Sequence, residues 1–194
     1  MRKSDTQSLP SLGFLTVVEH EQHGLFGGYL VLTMGGRPLE FHCTAPVKPN
    51  RAQQILFGPT LQSYLYGEQI GQTLINKATA KPLVVCTDLG PALSVRDYIS
   101  LPVAWVLPPN PGAGSDADPS HERVRFDSPH PELPGMVGLR LGRNRLAVAA
   151  GRSDDRQEIA RRLEPLAETF DLAEPFARIR EALEEAQRGS RAAA

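Results

Sequence analysis

Residues 39–75 constrain this chain most, because an alternating strand, a proline bend and a long helical pattern follow one another without a break. Leu39, Phe41, Cys43 and Ala45 share one face of the strand and Glu40, His42 and Thr44 the other, the alternation expected of a strand buried on one side. Pro46 and Pro49 should end the pairing, since proline has no amide for a ladder and holds its predecessor extended. Asn50 then suits a helix N-cap. A first helical piece, 51–57, stops at Gly58-Pro59, and Thr60 is placed to cap a second piece. In that piece Leu61, Leu65, Ile70 and Leu74 form an apolar stripe fit to lie on a sheet. Gly67 and Gly71 sit one turn apart within it. An interior helical glycine costs about 1 kcal/mol relative to alanine, so the pair marks a face where another backbone comes close: the sheet below, a partner helix or a ligand.

The chain on either side fits the same scheme. A strand at Phe14–Glu19 and an apolar strand at Tyr29–Thr33 precede the alternating one, and Gly35-Gly36 provides the tight turn between the second and third. After the helix, residues 82–88 form a continuous apolar run of the kind covered on both sheet faces. A helical crossover should return that strand parallel inside the sheet. Ser94 is expected to open a short helix reaching Tyr98, and Val103–Leu107 a fifth strand. Residues 108–121 have the composition of a linker or long loop. Beyond them come a short strand near Arg123–Phe126, a hairpin of Met136–Leu141 and Leu146–Ala149, a helix from Asp154 to about Phe170, and another restarting at Glu174-Pro175. The fold class is therefore α+β with a mixed sheet: a β-β-β-α-β-α-β core over 12–107, then an extension over 122–188 made of a hairpin and two helices. A lead of residues 1–11 and a tail of 189–194 are expected to be disordered.

Composition excludes some classes of function. A net charge of −1 over 194 residues does not favour nucleic acid as a partner, because nonspecific affinity for it rests on neutralising many phosphates. No apolar run approaches the ~18 residues that span a bilayer, and no secretion signal is seen, so a cytoplasmic protein is expected. Cys43 and Cys86 both fall in expected strands, where reduced core packing is the ordinary state. Phosphate loops, dinucleotide-binding glycine fingerprints, nucleophile elbows and His-Glu-x-x-His motifs are all missing, so no cofactor is expected.

Three groups of residues are candidates for chemistry. His20 and His23 in one loop, with His42 on the polar side of the third strand, are candidate metal ligands, although their spacing matches no zinc signature. Arg140, Arg143 and Arg145 gather at the second hairpin and would suit a phosphate or an acidic partner, with a solvated, ion-paired surface as the ordinary explanation. Asp88 ends a buried parallel strand, where sites in open sheets collect. Three antiparallel strands, a helix, a strand, a helix and a strand resemble the order of elements in ribonuclease H-like domains. Those domains hold two divalent ions on carboxylates of the first and fourth strands. The resemblance implies Glu19 or Glu21 together with Asp88 as ligands. It is one of topology only, since strand one contains no aspartate.

With no convergent catalytic set in the sequence, the leading expectation is a non-catalytic interaction or accessory module that works through protein contacts. It would use the Gly67/Gly71 face, with a protein partner or a second copy of the chain bound there. The alternatives are a metal-dependent hydrolase or nuclease on a ribonuclease H-like sheet, and a small-ligand sensor with a pocket between the sheet and the 60–78 helix.

Overall fold

The computed structural model describes residues 10–108, 124–126 and 135–192. Its centre is β1 (Ser11–His20), antiparallel to β2 (Gly24–Thr33), which in turn pairs with β3 (Pro38–Cys43). The chain then crosses the sheet through α1 (Arg51–Phe57) and a longer helix, α2, over residues 61–77. It returns as β4 (Val84–Thr87), parallel to β1, and β5 (Val103–Leu107), parallel to β4. This is the parallel return expected of a helical crossover. The remaining strands are β6 (Val124–Phe126), β7 (Met136–Leu141) and β8 (Asn144–Ala149). Two helices, α3 (Ser153–Leu163) and α4 (Glu174–Ala192), complete the chain. The strand order is β3-β2-β1-β4-β5-β8-β7-β6, so the second hairpin continues the same sheet by pairing β8 antiparallel to β5. The architecture is α+β with a mixed sheet.

Each sheet face carries its own core. Leu12, Phe14, Cys86, Leu146 and Val148 lie under α3 and α4, packed against Ile159, Leu163, Phe176, Ile179 and Leu183. Leu15, Tyr29, Val31 and Val85 lie under α2, against Leu65, Ile70 and Leu74. Gly27 and Gly28 decide how closely these layers approach. A Cβ at Gly27 would stand 2.1 Å from Ile70 Cγ2, and one at Gly28 would stand 2.3 Å from Ile179 Cγ2. Successive strand residues point to opposite faces, so two adjacent glycines let one helix down onto each side.

Local signals account for much of α1 and α2. The Asn50 side chain accepts from the Gln53 amide, and the Gln53 side chain accepts from the Asn50 amide, a reciprocal capping box. Gly58 takes φ +47 and Pro59 follows, breaking the helix there. Thr60 does not cap α2; its hydroxyl donates to the Phe57 carbonyl. Residues Tyr64–Gln72 are wound as π-helix, a loosening the apolar spacing did not signal.

Several expectations are corrected. The face of β3 bearing Leu39 and Phe41 is not buried, these residues being 42% and 38% exposed. β3 is an edge strand, and hydrophobic alternation cannot tell an edge from an interior position. Ser94 does not open a helix; it lies inside a 3-10 segment, Gly90–Asp97, with its hydroxyl directed to the Pro91 and Ser63 carbonyls. The helix expected as far as Phe170 ends at Leu163, where Glu164–Leu166 tightens to 3-10 around Pro165. Helix α4 runs on to Ala192, past the expected end at 188. Ser11 already belongs to β1; residues 1–9 of the lead and 109–121 of the linker lie outside the described residues.

Candidate functional site

The carboxyl ends of β1 and β4 lie side by side at the middle of the sheet. Parallel pairing matches Leu12 to Val84 and ends with Leu15 opposite Thr87, and Thr16 and Asp88 are the residues that follow these two along the chain. Alternation from Cys86 directs Asp88 to the face covered by α4. There the Arg180 guanidinium of α4 forms an ion pair with Asp88 Oδ2. Asp88 Oδ1 and Thr16 Oγ1 are both sealed from solvent and have no hydrogen-bond partner among the described residues. The Asp88 carboxylate and the Arg180 guanidinium thus make a formally neutral pair.

Glu19 does not join this pair. It shares the face of Leu15 and Val17, the opposite side of the sheet from Asp88. There it lines a cavity of about 180 Å³ with Leu25, Val47, Leu61 and Tyr66; burial, and after it the Glu19 charge, raises the Tyr66 hydroxyl above its usual pKa. Glu21 stands in the turn after β1. Two divalent ions would require several convergent carboxylates. Here Asp88 is already paired with Arg180, and among the described residues no three His, Cys, Asp or Glu side chains gather. These residues do not fit the two divalent ions that the ribonuclease H-like resemblance implied. A strand alternates its faces in a way that loop-level proximity in sequence conceals.

The histidines serve other contacts. The rings of His20 and His23 lie 4.6 Å apart, while His42 sits on β3 with its Nε2 2.9 Å from Glu40 Oε2. The three form no common ligand set among the described residues. Glu40 is the hub of this edge. It also accepts from the Thr79 amide at 3.0 Å, the Ala80 amide at 2.7 Å and the Thr79 hydroxyl, tying β3 to the end of α2. The His42 contact, then those from Thr79 and Ala80, hold its carboxyl down to about 2 from an ordinary 4.5. A depressed folded-state pKa stabilises the fold above the unfolded value and loses that contribution as pH falls through the folded one. Urea midpoints should therefore drop between pH 4.5 and pH 2 in the wild type, and Glu40→Gln should remove this part of the decline. An unchanged profile in the variant would show that the clamp does not form.

The close approach anticipated at Gly67 and Gly71 is made by the chain itself. A Cβ at Gly67 would meet Ser94 Oγ at 2.0 Å and the Val95 amide nitrogen at 2.7 Å, and one at Gly71 would meet Leu15 and Val95. Arg140 and Arg145 face one another across β7 and β8, Arg143 occupies the turn between them, and Arg145 donates to the Pro108 carbonyl at 3.4 Å. Cys86 is buried, which pushes its thiol up to about 12, whereas Cys43 is exposed. Cys43 lines a cavity of about 260 Å³ with His23, Phe26 and Leu183, a histidine neighbour not anticipated from sequence. Arg180 and Thr16 were also missed. The Arg180–Asp88 contact spans 92 residues, and neither residue carries a motif.

No protein-family model matches the sequence, and no curated protein matches it. In structure, the chain is similar to a variant of Ciona intestinalis endonuclease V in complex with a 23mer DNA containing an inosine followed by a ribo-adenosine. The TM-score is 0.54 at 10% identity, over 93% of this chain and 88% of that one. The same enzyme with a 24mer DNA gives 0.52 at 10% identity, over the same shares. The chain has an endonuclease V-type fold. Two expectations fall with that likeness. An accessory module working through protein contacts was inferred from missing motifs, but the fold is shared with a nuclease across nearly the whole chain. Nucleic acid was disfavoured on net charge, yet both of these neighbours are complexes with DNA. Net charge sums over the entire surface, whereas phosphate contacts need positive groups only along one track. Among the described residues no helix is long and apolar enough to cross a membrane.

Proposed function

We propose that this chain acts on nucleic acid, taking a DNA or RNA strand across the carboxyl ends of β1 and β4. The observation that carries this reading is the match to DNA-bound endonuclease V over 93% of the chain. Position supports it as well, because ligands of open sheets collect beyond the carboxyl ends of parallel strands, and Asp88 with Arg180 stands there. The free cysteines Cys43 and Cys86 are in keeping with a cytoplasmic place of action.

The test is fluorescence anisotropy with labelled single- and double-stranded DNA and RNA oligonucleotides across a salt series, with cleavage followed on the same samples. Binding should weaken steeply with salt, since each neutralised phosphate contributes a slope of about −0.7 to −0.9 in log affinity against log salt. Absence of binding to all four oligonucleotide types at low salt would overturn the proposal.

A further inference from the structure

A ribonuclease H-like arrangement puts divalent cations where β1 and β4 end, but this chain puts a guanidinium there. We infer that Arg180, held by Asp88, is the fixed cation of the site, so that a phosphodiester group is engaged by this side chain and not through a divalent ion. The inference rests on the nucleic-acid reading above and goes further by assigning the residue and the absence of a metal requirement.

Three observations carry it. First, charge: a magnesium site is built on one or two free carboxylates, and Asp88 is already compensated by Arg180, while the β1 residue just past the last paired position is the uncharged Thr16. Second, access: Asp88 Oδ2 is taken by the guanidinium and Oδ1 is sealed within the protein, so neither oxygen is open to an incoming ion. Third, exposure: the Arg180 side chain is 43% exposed and that of Asp88 only 17%, so the pair presents its cation outward. A planar guanidinium with one nitrogen on a carboxylate oxygen retains donors for a phosphate, which it recognises through two parallel hydrogen bonds. Asp88 is thus a positioning residue for Arg180.

The full chain is titrated with the labelled oligonucleotide in Mg²⁺ and again in EDTA, and separately with Mn²⁺ followed by electron paramagnetic resonance. Affinity should be the same with and without Mg²⁺, and the manganese signal should remain that of the free ion. Arg180→Gln should weaken oligonucleotide binding roughly tenfold and reduce the salt slope by about one, as for any single lost phosphate contact. Circular dichroism of the variant confirms that it is folded. Stoichiometric Mn²⁺ binding abolished by Asp88→Asn would overturn the inference while leaving the nucleic-acid reading intact, as would Mg²⁺-dependent cleavage abolished by the same change. An Arg180→Gln protein that binds as the wild type does would also overturn it. Failure of the wild type to bind any oligonucleotide is a failure of the nucleic-acid reading itself, and the Mn²⁺ titration still reads the metal part independently.

Discussion

Phe176→Ala is expected to cost about 4 kcal/mol of stability, the largest effect of any single truncation considered for this chain. Phe176 is buried on α4, its ring 5.6 Å from that of Phe14 in an edge-on arrangement, and Phe170 stacks on Phe14 at 6.2 Å. Removing the ring leaves a cavity between helix and sheet that cannot collapse, since Gly28 already brings α4 as close as Ile179 permits. Urea unfolding followed by circular dichroism provides the measurement. A loss of only about 0.5 kcal/mol, the scale of a surface substitution, would mean that α4 is not docked as described. Because Arg180 lies one turn beyond Phe176 on the same helix, the folded fraction of the variant should also bind nucleic acid more weakly.

Asp155→Ala is the second large effect, about 3 kcal/mol. Asp155 opens α3 and accepts two hydrogen bonds from Arg96, at 2.6 Å and 3.0 Å, while Arg96 also donates to the Ile99 carbonyl. The side chains are 7% and 22% exposed respectively, so removing the carboxylate strands a mostly desolvated cation. This pair fastens the segment after β4 to the helix that covers β7 and β8. Replacing both partners by apolar residues, Arg96→Met with Asp155→Leu, should cost far less than Asp155→Ala alone, because the penalty comes from the orphaned charge and not from loss of attraction. Comparing urea midpoints of the two proteins decides this. Equal losses would show that the pair contributes through attraction.

Local chemistry was readable in the chain wherever one residue or a short run dictates it. Asn50 and Gln53 close a capping box through contacts only three residues apart. Gly58-Pro59 breaks a helix through the absence of an amide. The run around Val84–Thr87 announced a strand covered on both faces, and its helical crossover announced parallel pairing with β1. The succession of elements followed from such signals. What they could not convey is which strand becomes an edge, and so the alternation in β3 suggested a buried Leu39–Phe41 face that is in fact open.

The candidate site belongs to the tertiary structure. The resemblance in element order grouped Glu19 or Glu21 with Asp88, because nothing in the sequence states on which side of the sheet each points. The parity of β1 sends Glu19 to the α2 face, while Asp88 lies under α4, where an arginine 92 residues further along meets it. Covalent order and backbone preference are properties of neighbours along the chain, and they determined the helices, the turns and the succession of strands. Pairing of charges depends on which surfaces packing brings together, and only the assembled layers of α2, sheet and α4 decided it.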